Sequence, residues 1–137
     1  MTSDPGEIDP EVIALATRLF GLARAGTTAE LAAYLDAGVP ADLRNQAGDS
    51  LLMLAAYHGH ADTVAALLAR GADADLANDR GQSPLAGAVF KGHDDVVTVL
   101  LGAGADPHHG APTAHDTALM FGRADYLARW GDPADEH

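Results

Sequence analysis

Past residue 50, apolar side chains fall into short clusters punctuated by glycine. Val64, Leu67 and Leu68, and again Val96, Val97, Leu100 and Leu101, recur at spacings that share one face of an α-helix. A shorter segment precedes each cluster, running from Ser50 to about Tyr57 or from Ser83 to about Phe90. Ser50 and Ser83 are good N-cap residues, and Pro84 stands at the first helical position, where its missing N–H costs nothing. Gly59 and Gly92 supply the left-handed conformation that ends the first helix, and Gly71 and Gly104 stop the second. The pattern predicts successive pairs of short helices.

The pairs are copies of one unit. Shifting "NQAGDSLLMLAAYHGHADTVAALLARGADADLA" (45–77) by 33 residues lays Asn45 on Asn78, Gly48 on Gly81, Ser50 on Ser83, Leu52 on Leu85 and Gly59-His60 on Gly92-His93. In the same register Leu67-Leu68 falls on Leu100-Leu101 and Gly71-Ala72-Asp73 on Gly104-Ala105-Asp106. The acidic stretch 72–82 therefore lies between one unit's second helix and the next unit's first. Its Asp and Asn side chains tighten turns by bonding their own backbone and need no cation to explain them. A calcium loop needs a D-x-D-x-D-G run ending in a ligating Glu, and the chain has neither.

"NDRGQSPLAGAVFKGHDDVVTVLLGAGAD" (78–106) resembles the repeat of the ankyrin family at most of that pattern's defining positions. Met53 and Ala86 stand where the family has a His after Pro-Leu, and Leu51 where it has the Pro. That leaves the polar bonding of the family's His without its donor at those positions.

The flanks extend the register. "AGTTAELAAYLDAGVPADLRN" (25–45) aligns one period earlier, with Gly26 on Gly59, Leu31 on Val64, Leu35 on Leu68 and Gly38 on Gly71. Its first helix is expected from about Asp9-Pro10, carrying Ile13, Leu19 and Leu22. "TAHDTALMFGRADYLARWG" (113–131) aligns on the second unit with a shift of about 63, having lost a few residues, and reads as a capping unit. The expected architecture is all-α: an ankyrin-type solenoid of about four helix-turn-helix units with β-turn or hairpin connectors. One domain spans 9–131, with units at about 9–44, 45–77, 78–110 and 111–131, an acidic tail at 1–8 and a second tail at 132–137.

Composition agrees with helices. Of 137 residues 47% are apolar, drawn mostly from Ala, Leu and Val with only seven aromatics, which suits tightly packed helices better than a sandwich of sheets. The formal charge of −12 argues against nucleic acid and anionic membrane as partners. There is no cysteine, so disulfides, thiolate metal sites and a thiol nucleophile are all excluded. No apolar run approaches the ~18 residues of a membrane span, and acidic residues stand at the N-terminus where a secretory signal has basic ones. A soluble cytoplasmic monomer is expected, and the Ala- and Asp-rich usage points to a high-GC bacterial source.

Seven histidines invite a metal or catalytic reading. His60 and His93 occupy one repeat position just after the helix-ending glycines, which the resemblance implies is structural. The His108-His109 turn, with His115 nearby, is the alternative: a metal or small-ligand site, although adjacent residues share no face and sequence fixes no third ligand. A self-assembling structural protein is a further alternative, favoured if Trp130 and Met120 are exposed. No Gly-rich phosphate loop follows a strand and no G-x-S-x-G elbow is present, so no enzyme activity, cofactor or bound metal is expected. The resemblance implies a protein partner bound through the concave face and connector tips. Carried over by position, that surface comprises Arg44, Gln46, Asp49, Tyr57, His58, Asp79, Arg80, Gln82, Phe90 and Lys91. Tyr57 and Phe90, 33 residues apart, are expected side by side as anchors, with Arg80 and Lys91 as polar contacts.

Overall fold

The structure, a computed structural model, describes residues 9–131; the two expected tails, 1–8 and 132–137, lie outside the described residues. Helices come in pairs: α1 (Pro10–Ala25) with α2 (Thr28–Asp36), α3 (Leu51–Tyr57) with α4 (Ala61–Ala69), α5 (Pro84–Lys91) with α6 (Asp94–Gly102), and α7 (Ala114–Met120) with α8 (Ala124–Arg129). The first helices stack in one row, α1 to α3 to α5 to α7, and α2, α4 and α6 stack in a second. Among the described residues there is no strand beyond the isolated bridges Arg44–Ser50 and Gly110–Thr113.

Local chemistry sets the boundaries. Ser50 Oγ accepts from Met53 N at 2.9 Å and Ser83 Oγ from Ala86 N at 3.1 Å, and Thr113 repeats the cap for α7. Asn45 Oδ1 accepts from the N–H groups of Ala47 and Asp49, and Asn78 Oδ1 from those of Arg80 and Gln82, closing each connector into a tight turn. The connectors are also stapled to one another. Asp42 accepts from Asp73 N and Asp75 from Asp106 N, both at 2.8 Å, while the buried Asn78 donates to Asp49 at 2.9 Å. Asp42 and Asp75, one period apart, thus each hold the backbone of the next connector.

The core follows the period. Leu52, Leu67, Leu85 and Leu100 are fully buried, with Ala55, Ala56 and Ala88 letting the first helices approach closely. Leu68 and Leu101 are only partly covered, so the leucine preceding each of them carries the deeper contact.

Helix α1 departs from the period. Thr17 is the residue that aligns with Ser50, yet α1 has already begun at Pro10, capped by Asp9, whose Oδ1 accepts from Glu11 N at 2.8 Å. Its first two turns therefore run where later units have a connector. Leu19 is buried and Leu22 packs against the core as expected, but Ile13 is 50% exposed: the early turns extend past the point where α3 begins, and no helix covers them.

Candidate interaction face

The C-terminal turns of the first helices, spaced by one period, carry the side chains that the repeat does not need for its own packing. Tyr57 and Phe90 lie ring against ring, 6.4 Å between centroids and 16° from parallel. Phe121, at the C-cap of α7, sets its edge against Phe90 at 5.4 Å and 72°. The Lys91 ammonium stands 5.3 Å from the Tyr57 centroid, and His58, the C-cap of α3, meets the same ring edge-on at 5.8 Å. Phe90 is 48% exposed and Phe121 50%, so the row is an apolar surface in contact with solvent and not a buried seam.

Beside it, Asp49, Tyr57, His58, Arg80 and Gln82 line a cleft of about 200 Å³ floored by Met53 and Leu54. Five of the residues assigned to the interaction surface by sequence therefore share one cleft, with Phe90 and Lys91 at its edge through their contacts to Tyr57. Others are engaged in holding connectors together. Asp49 accepts from Asn78, and Arg44 bonds Gly48 O at 3.2 Å, Ala77 O at 3.4 Å and Asp79 Oδ1 at 3.5 Å. Gln46 lies apart from the cleft, in a groove of about 720 Å³ along α1.

Charge on this face runs opposite to the chain's total. Arg18, Arg70 and Arg123 are consumed by ion pairs with Glu30, Asp36 and the Asp94–Asp125 pair. Arg24, Arg80 and Lys91 meet no carboxylate at ion-pair distance among the described residues. Partial burial and then the neighbouring His60, Arg24, Lys91 and His93 hold the His58 imidazole below its usual pKa, so it is neutral at physiological pH. A surface with aromatic rings and unneutralised cations can take an apolar side chain and a carboxylate together.

Two members of this face were not assigned from sequence. Arg24 is one period before Tyr57, and extending the shift by one unit finds it. Phe121 is hidden by the shortened last unit, whose register sets Met120 opposite Phe90 although Phe121 makes the contact.

The histidines divide. His60 Nε2 bonds Arg24 O at 2.7 Å and His93 Nε2 bonds Tyr57 O at 3.1 Å, tying each unit to the previous first helix. The His108 and His115 rings lie 4.8 Å apart between centroids, tilted by 34°, whereas His109 is exposed and its backbone N–H bonds Asp106 O. Among the described residues no group of three or more His, Asp or Glu is placed to hold a metal ion. Of the two residues whose exposure would favour self-assembly, Met120 is 72% exposed while Trp130 is half-buried, stacked on Tyr126 at 6.4 Å. No helix among the described residues is long and apolar enough to cross a membrane.

Comparison with known proteins gives two matches. Residues 19–111 match the family model described as ankyrin repeats in three copies. A Pseudomonas aeruginosa protein named as an ankyrin repeat protein is 54% identical over 65 residues, covering 47% of this chain and 38% of that protein. The chain thus matches well under half the length of that relative.

Proposed function

Because this chain belongs to the ankyrin-repeat family, whose repeats generally mediate protein–protein interactions, we propose that it binds a partner protein and catalyses no reaction. The binding surface is the row Tyr57, Phe90 and Phe121, with Arg80, Lys91 and His58 around it, the connector residues Asp49, Asp79 and Gln82 along its edge, and Arg44 and Gln46 farther off on the side of α1. The observation that carries this reading is the solvent-facing aromatic row in a chain with only seven aromatics, set where the repeat's own packing does not require large rings. Aromatic and basic side chains are the types that dominate interface energetics. The charge of −12 and the absence of cysteine support a cytoplasmic protein partner over nucleic acid. Affinity capture from lysate tests it: a partner held by the wild-type chain should be bound about tenfold or more weakly by the Tyr57→Ala, Phe90→Ala variant with an unchanged melting curve. Full retention by that variant contradicts the reading.

A second reading is favoured by one observation, the exposure of Leu119, Met120 and Phe121 together on the last first helix and its cap. It is self-association through that end. Sedimentation over a concentration series separates the two: constant monomer mass supports the first, mass rising with concentration the second.

A further inference from the structure

The first unit holds a second apolar surface, away from the aromatic row's centre. Under the period, Val12 and Ile13 of α1 stand where the next unit has Asn45 and Gln46 and the one after has Asn78 and Asp79. The polar turn residues of a connector are here replaced by β-branched apolar ones on a helix, and the replacement does not bury them: Val12 is 57% exposed. With Ala16 and Phe20 they form one wall of the groove of about 720 Å³ whose other wall is the tip of the next connector, residues 44–47. Arg24 and Arg44 also line it.

We propose that this groove docks an acidic amphipathic segment of a partner protein, with apolar side chains on Val12, Ile13 and Phe20 and carboxylates on Arg24 and Arg44. The inference rests on the reading of the chain as a partner-binding module and adds to it a site and the chemistry of the ligand. Charge complementarity selects that occupant. Arg24 faces no carboxylate at ion-pair distance among the described residues, which leaves its guanidinium for a bidentate partner, while Arg44, with Nε and Nη2 bonded to Gly48 O, Ala77 O and Asp79, offers its Nη1. In a chain of net charge −12, a groove lined by two arginines and no carboxylate is a local inversion of sign. At physiological ionic strength, charges beyond about 8 Å are largely screened, so the groove's own cations govern a ligand seated in it.

The test is selection from a displayed library of random 12-residue peptides on the immobilised full chain, followed by titration of the recovered peptides. Three variants run alongside: Ile13→Gln, Arg24→Glu in the groove, Tyr57→Ala, Phe90→Ala on the aromatic row, and a chain lacking residues 1–8. Ile13 and Arg24 are exposed, so the groove variant should melt with the wild type. The expected result is enrichment of Asp and Glu beside Leu, Ile or Phe, with binding about tenfold or more weaker to the groove variant and unchanged on the aromatic-row variant. Enrichment of basic or uncharged peptides overturns the proposal, as do acidic peptides that tolerate the groove variant. Acidic peptides recovered only by the chain lacking residues 1–8 also overturn it, since the chain's own N-terminal segment would then be the occupant. Peptides lost on the aromatic-row variant alone remove the groove and leave the partner-binding reading standing. An empty selection removes the groove as a peptide site, while lysate capture with the aromatic-row variant judges the broader reading independently.

Discussion

The second and third helix pairs are joined differently from the third and fourth. In the middle, His93 reaches back over Gly59, its ring so close that a Cβ on that glycine would sit 2.8 Å from it, and bonds Tyr57 O. The same arrangement joins His60 to Gly26 and Arg24 O. At the last junction Arg123 takes the place of the histidine, and a Cβ on Gly92 would sit 3.6 Å from its Nη1, an ordinary contact. Arg123 bonds Asp94 at 3.2 Å and Asp125 at 2.8 Å, the Tyr126 hydroxyl donates to Asp94, and Arg129 donates to Thr98 and Asp94 O. The middle is closed by helix packing and an imidazole bonded to a backbone carbonyl; the end by charged groups on the surface. The lesson is that period-specified chemistry closes a junction with one ring-to-backbone bond over a glycine, and that where the period breaks the chain substitutes an ion-pair cluster.

The largest effect should come from the cores of the two regions. Leu67→Ala removes a fully buried side chain shared between units and should cost about 2–5 kcal/mol, lowering the melting temperature of the whole chain in one transition. Leu127→Ala, at the end, should instead give a broadened curve in which α7 and α8 melt first, read by hydrogen exchange. One uniform transition in both would show that the ends are as tightly coupled as the middle.

Next come the glycines. Gly59→Ala combines a φ of +81° with a clash on the His93 ring, so it should cost more than the ~1–2 kcal/mol of the left-handed backbone alone. Gly122→Ala, at φ +65° with open space around it, should cost only the backbone part. Equal costs in denaturant titrations would remove the histidine from the account. His93→Ala should in turn destabilise by about 1–3 kcal/mol, since it strips a partner from a partly buried carbonyl.

The smallest effect is with pH and is read at the last junction. The Tyr126 hydroxyl and then Arg123 hold the Asp94 carboxyl below its ordinary 3.8, and Arg123 does the same for Asp125. A depressed carboxylate contributes stability that is present above about pH 4 and lost as pH falls through the folded value. Tyr126 is displaced the other way, to about 12, by burial and by its bond to Asp94, so its contribution is intact below pH 10 and fades between there and about 12. Trp130, the single tryptophan, stacks on Tyr126 and reports the junction by fluorescence. Its signal should change at both extremes, and Asp94→Asn should reduce the acid-side change; a flat signal in wild type contradicts the assignment.

Legibility in the sequence follows the same division. The repeated local features were readable, including the caps at Ser50 and Ser83, the glycine stops and the pairing of Tyr57 with Phe90, because each position is stated twice in one register. What escaped lies where there is a single copy, or in bonds that cross from one unit to the next. The early turns of α1 look like any amphipathic helix start, and only packing shows that nothing covers Ile13. Phe121 escaped because the missing residues move its register relative to Phe90. The staples from Asp42 to Asp73 and from Asp75 to Asp106 are non-local bonds that composition disguises as an acidic linker.

The most direct measurement is site-specific photo-crosslinking in lysate, with a photoreactive phenylalanine analogue at Phe90, at Phe121 or at Ala65, an exposed position on α4 in the other helix row. Adducts to one partner protein from Phe90 and Phe121 and none from Ala65 are the predicted result. The same partner captured from Ala65, or from all three positions equally, would contradict the assignment of the aromatic row as the binding face.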